Sequence, residues 1–198
     1  MQIQLSDNFW LNEFTSSQTA ERKPEIAGDQ FEPPPHIVER LRYLCECSIQ
    51  PLRTLLNTPI RVSSGYRSPG LNAAIGGSAT SQHMKGEAAD LVISDRILRD
   101  PELARERDVI ANMVYERVGK WLRKDVNANF YLFAAGCLYL NELDVDQIIH
   151  EYGTPGQPAW VHISASTERS NRQILKIPKL EGDDSAVLTL EEALELGC

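Results

Sequence analysis

One stretch, Ser81-Gln82-His83-Met84-Lys85-Gly86-Glu87-Ala88-Ala89-Asp90, sets an imidazole and a carboxylate seven residues apart, with a glycine between them. A loop that turns at Gly86 and runs into a strand can return His83 and Asp90 to one point. A further imidazole, His162, lies in Trp160-Val161-His162-Ile163-Ser164, where strand alternation puts it on the face of Trp160 and Ser164. Two His and one Asp are ligands of the kind Zn²⁺ accepts in catalytic sites, which keep a fourth position for water. A metal so held acidifies water and polarises a carbonyl, so amide hydrolysis is the reaction such a set fits. The bland alternative is three polar residues in unrelated loops, and spacing alone does not decide between them.

The elements that must position these groups are legible in outline. Pro59 to Ser64 is β-branched, alternates and stops at Gly65, so it reads as a strand. The stretch SPGLNAAIGG reads as a short helix closed by glycines, and Ala88–Ile93 and Trp160–Ser164 as strands. From Pro35 to Asn57, Ile37, Leu41, Leu44, Ile49, Leu52, Leu55 and Leu56 recur near the helical period, predicting the main core helix with a kink at Pro51. SDNFWLNEF reads as an amphipathic helix capped by Ser6 or Asp7, and ERKPEIAGDQFEPPP as a connection. Asp100 to Leu140 reads as helical, broken at Asn127–Asn129, with Val109, Ile110, Val114, Val118 and Trp121 on one face. VDQIIHEYG reads as a short helix ended by Gly153, Arg172–Ile177 as an edge strand, and the acidic tail from Glu181 as frayed or one last helix. The fold class is therefore α+β: a small, mainly antiparallel sheet bearing the zinc residues, flanked by helices. One domain spans 1–178, with a helical insertion at about 95–140 that could shape substrate access or an oligomer contact, and 179–198 is the tail.

Composition restricts the partners. The chain has 198 residues, 20 Lys and Arg against 28 Asp and Glu, and a net charge of −8, which repels phosphate backbones and anionic lipid. Nucleic acid and membrane are therefore not expected partners. No run approaches the roughly 20 apolar residues of a membrane span, and the N-terminus has no basic and apolar leader pattern. The expectation is synthesis in the cytoplasm, with a phage-type release route to the cell wall as one destination. Cys45, Cys47, Cys137 and Cys198 form no CxxC pair; Cys45 and Cys137 read as buried thiols and Cys198 as a frayed terminus. The oligomeric state is left open.

SQHMKGEAAD fits the pattern SxHxxGxAxD, with SSGYRSPGLNAAIGGSATS before it and WVHIS after it. In these motifs the chain resembles the zinc D-Ala-D-Ala carboxypeptidase family, which includes D-Ala-D-Ala dipeptidases and phage L-alanyl-D-glutamate endopeptidases and shares its fold with Hedgehog signalling domains. The layout is most similar to short phage and bacterial members, in which an EFxxS element and a PLR helix end precede SGYR; here they read Glu13-Phe14-Thr15-Ser16-Ser17 and Pro51-Leu52-Arg53. The resemblance, from about Phe9 to about Ser164, implies Zn²⁺ bound by His83, Asp90 and His162. It also implies that Arg67 steadies the scissile carbonyl and its oxyanion, that Ser81 contacts substrate or supports the ligands, and that Asn72 and Gly86 hold the loop presenting His83.

One departure stands out. Many members carry an acidic residue three positions before the last histidine, and here that residue is Ala159. A chain without that carboxylate either uses another base or is inactive; the nearest candidate is Glu151, in a Q-I-x-E-[YF]-G-like element upstream of WVH, with Glu87 as the weaker one. His150 and His36 read as structural, and Trp121, Phe130, Tyr131 and Phe133 as core. The resemblance implies a zinc metallopeptidase whose partner is a peptidoglycan peptide containing D-amino acids. The alternatives are a catalytically inactive zinc-binding module for wall fragments or a protein partner, and a structural protein in which zinc only stabilises the fold.

Overall fold

The computed structural model describes residues 2–178 and 185–198, so the start of the acidic tail at Glu181 lies outside the described residues. In chain order the elements are β1 (Gln4–Ser6), β2 (Phe9–Trp10), α1 (Leu11–Thr15), α2 (Gln18–Glu21), α3 (Pro24–Phe31), α4 (Pro35–Leu44), α5 (Gln50–Leu56), β3 (Ile60–Ser64), α6 (Pro69–Ala74), β4 (Ala88–Ile93), α7 (Arg96–Arg99), α8 (Ala104–Val118), α9 (Ala128–Leu138), β5 (Gln147–Glu151), β6 (Trp160–Ser164), β7 (Gln173–Ile177), β8 (Ala186–Leu188) and α10 (Leu190–Glu195). The large sheet runs β3-β4-β6-β5-β7-β8, antiparallel throughout except where β5 meets β7. The α+β class and the mainly antiparallel sheet are as read from the sequence.

Alternation splits the sheet into a core face and a cleft face. On the core face Ala89, Leu91, Ile148, Val161 and Ile163 are buried against α9, whose Phe130, Leu132 and Phe133 are themselves inaccessible. Each of the larger side chains among them stabilises the fold by roughly 1.5–3 kcal/mol relative to exposure. Helix and sheet are in close contact at Gly136, where an added Cβ would stand 3.0 Å from Ile148. The stretch 95–140, read as an insertion, thus supplies the helix on which the sheet rests.

The long helix is interrupted just ahead of Pro51 by a π turn, Cys45–Ile49, between α4 and α5. Proline has no N–H to give the carbonyl four residues back; that carbonyl, on Cys47, instead accepts from the Asp144 N–H at 3.3 Å.

Several expectations need correction. VDQIIHEYG is not a helix: β5 pairs with β6 on one side and β7 on the other, and Ile148 and His150 alternate inward while Gln147, Ile149 and Glu151 alternate toward the cleft. The apolar Ile149 on the cleft face hid the period of two. Nor is β7 an edge, because β8 covers its outer side. The N-terminal helix starts only at Leu11, since residues before it form the β1–β2 hairpin that buries Phe9 edge-to-face on Phe14. The connection before the prolines contains α3, with Pro24 in its first turn. α8 stops at the left-handed Gly119 rather than near Asn127, which leaves Trp121 outside any helical face, 58% exposed and stacked on Tyr115. Cys198 packs partly buried against the core, because α10 docks through Ala193 and Leu194. Among the described residues no helix is long and apolar enough to cross a membrane.

Candidate metal centre

The antiparallel register of β4 and β6 sets Asp90 directly opposite His162. His83 reaches them from a single 3₁₀ turn, Gln82–Lys85, which ends at Gly86 in the left-handed conformation (φ 70°). A side chain at Gly86 would meet Ile37 at 2.9 Å, so the turn that aims His83 requires glycine on both counts. Behind His83 the chain is as tight: Nδ1 donates to the Gly65 carbonyl at 2.7 Å, and Gly65 lies against the Phe14 backbone with no room for a Cβ.

Three ligand atoms converge. His83 Nε2 lies 3.2 Å from His162 Nδ1 and 3.2 Å from Asp90 Oδ1, and His162 Nδ1 lies 3.0 Å from Asp90 Oδ1. Tetrahedral zinc with bonds near 2.0–2.1 Å separates its ligand atoms by about 3.3 Å, so the triangle has the size of one tetrahedral face. The outer nitrogens fix the rings. A carbonyl only accepts, so His83 carries its proton on Nδ1; His162 Nε2 donates to Gln82 Oε1 at 3.3 Å. Neutral rings so oriented present two nitrogen lone pairs and a carboxylate oxygen to one another, and a cation resolves that repulsion. All three residues are buried, and together they form a group able to hold a metal ion. The donor set fits Zn²⁺.

Arg67 completes the frame. Its Nη2 donates to Asp90 Oδ2 at 2.8 Å and its Nε to Ser64 Oγ at 3.0 Å, which leaves Asp90 Oδ1 for the histidines. The remaining donors of Arg67 have no partner among the described residues, and the side chain lines the cleft.

That cleft has a volume of about 680 Å³ and contains Arg67, Ser81, His83, Asp90, Glu151 and His162 together. Glu151 stands opposite Trp160 across the β5–β6 hairpin, and the indole Nε1 donates to Oε2 at 2.6 Å. Burial pushes the Glu151 carboxyl above its ordinary value, with a contribution from the charge of Asp90. The Ala159 N–H bonds the Glu151 carbonyl at 3.0 Å, closing the hairpin that carries Glu151 into the same cleft as His83, Asp90 and His162.

Other assignments resolve locally. Glu87 is engaged by Arg169 and Arg40 and faces away from the ligands. Asn72 Nδ2 donates to the carbonyls of Gly77 and Ser78, holding the loop ahead of His83. His150 is in the core, its ring edge-on to Phe133, and His36 is exposed. The sequence reading missed Tyr152, which lines the cleft edge-on to Trp160 at φ 55°, and the Gln82–Asp146 pair. Tyr152 sits directly before Gly153, a turn signal; nothing local marks Asp146.

No curated protein matches the chain. A family model described as Peptidase M15 matches residues 8–118, which include Arg67, Ser81, His83 and Asp90. With more than half of its length matched and a His-Asp-His cluster in its cleft, the chain belongs to the M15 peptidases, a family of zinc-dependent metallopeptidases.

Proposed function

We propose that the protein hydrolyses peptidoglycan peptides containing D-amino acids, as a D-Ala-D-Ala carboxypeptidase or a stem-peptide endopeptidase. The observation that favours an enzyme over an inactive zinc-binding module is Glu151: a carboxylate stands in the same cleft as the ligands, held by an indole, although Ala159 occupies the usual acidic position.

Zinc held by His83, Asp90 and His162 supplies a Lewis acid that polarises the amide carbonyl and acidifies water. Glu151 takes the proton of the attacking water through Oε1, which has no partner among the described residues, and returns it to the departing nitrogen. Trp160 fixes the other oxygen and so sets the direction of that transfer. Arg67, fixed by Ser64 and Asp90, donates to the oxygen on which negative charge develops. Ser81, on the cleft wall, contacts the substrate backbone. A polar cleft and a net charge of −8 suit a peptide better than nucleic acid or an anionic lipid surface.

The test is hydrolysis of purified stem peptides read by mass spectrometry, with zinc-loaded protein beside His83→Ala and Glu151→Ala. Cleavage absent in both variants is the expected result, and the fragment mass identifies the bond. A protein that binds zinc and cuts no stem peptide overturns the reading.

A further inference from the structure

On the reading that His83, Asp90 and His162 hold zinc, we infer that Gln82 and Asp146 form a positioning relay that sets the tautomer of His162 and thereby the metal affinity of the centre. Asp146 is 1% exposed, at the start of β5. Its carboxylate accepts from Gln82 Nε2 at 2.7 Å, Arg169 Nε at 3.1 Å, Asn171 N at 3.1 Å and Asn171 Nδ2 at 2.7 Å. A carboxylate can only accept, so the Gln82 amide must turn its NH₂ toward Asp146 and its oxygen toward His162 Nε2, 3.3 Å away. That oxygen holds the His162 proton on Nε2 and leaves the Nδ1 lone pair facing Asp90 and His83. A reversed amide would donate to Nε2, move the proton to Nδ1, and place it among the three ligand atoms. Asp146 thus acts on the metal through two hydrogen bonds and touches no ligand itself. Arg169 and Asn171, from the segment after β6, hold it from the other side.

The experiment measures zinc dissociation constants by chelator competition on the metal-free full chain, with the visible spectrum of the Co²⁺ form as a second readout. In Asp146→Asn the amide keeps its oxygen on the Asn171 donors and turns its NH₂ to the side shared by Gln82 and Arg169 Nε, which reverses the Gln82 amide and displaces the guanidinium of Arg169. Zinc binding is expected to weaken roughly 10- to 100-fold, the usual effect of losing a group that orients a ligand. Gln82→Leu, at a partly exposed cleft position, is expected to weaken it comparably and decides the matter should Asn at 146 prevent folding. The double variant Gln82→Glu/Asp146→Asn restores the order of donors and acceptors, because a carboxylate at 82 accepts from both His162 and Asn; recovery of affinity and of the Co²⁺ spectrum is expected. Single variants that bind zinc as tightly as the wild type overturn the relay. So does a double variant as weak as Asp146→Asn alone, which assigns Asp146 to holding the 166–173 segment. A wild-type chain that binds no zinc overturns the metal centre itself, and is distinguished from failure of the relay by that single measurement.

Discussion

Glu151 and Trp160 are directly opposed on neighbouring antiparallel strands, joined by a 2.6 Å hydrogen bond from the indole to one carboxylate oxygen. Glu151 therefore rides on the strand next to His162 and not on a separate loop, so its distance from His162 is set by sheet spacing. If it transfers the proton, Glu151→Gln keeps the shape and the indole contact but removes the acceptor. Turnover of a cleavable stem peptide should fall by about 10²- to 10⁴-fold, with one zinc per chain retained by elemental analysis.

The same carboxyl predicts a pH profile. Burial raises its pKa above 4.5; if Glu151 is the general base it works only ionised, so kcat/KM should fall as pH is lowered through that raised value. Donation from Trp160 favours the ionised form. Trp160→Phe removes it, and the acidic limb should move to still higher pH; a limb that stays in place assigns the titration to another group.

Gly86 carries a prediction about stability and metal together. Gly86→Ala forces a side chain into a left-handed turn and against Ile37 at 2.9 Å. A cost of about 1–3 kcal/mol is expected in denaturant unfolding, together with weaker zinc binding, because the turn that strains is the one that aims His83.

How much of this was legible depends on the range of the interactions. The ligand set was readable because His83, Gly86 and Asp90 lie within ten residues and because alternation in WVHIS placed His162. Glu151 was identified as a candidate but assigned to a helix, since five residues with apolar side chains on both faces fit either period. Trp121 was assigned to the core by extending a helical face past Gly119, whose left-handed φ ends it. The Gln82–Asp146 bond joins residues 64 apart and depends on strand order, which no local pattern encodes.

Phe133 and Trp121 test the corrected core. Phe133 is fully buried between α9 and the sheet, and Phe133→Ala should cost about 3–5 kcal/mol. Trp121→Ala, at an exposed stacked ring, should change stability by only about 0.5 kcal/mol. Equal losses in urea unfolding would return Trp121 to the core and contradict the break at Gly119.

Arg67 separates geometry from charge. It spans Ser64 and Asp90 with two different nitrogens while lining the cleft, which a single ammonium cannot reproduce. Arg67→Lys therefore keeps the positive charge but loses the fixed fork. If the guanidinium stabilises the oxyanion from that fixed position, the lysine variant should lose about 10²- to 10³-fold in kcat, the scale of one removed oxyanion donor. Zinc affinity should fall less, because Asp90 Oδ1 still faces both histidines. A variant that loses zinc and turnover in the same proportion would instead make Arg67 a support for Asp90 alone. Titrating zinc into the kinetic assay distinguishes the two, since saturating metal rescues a binding defect and leaves an oxyanion defect unchanged.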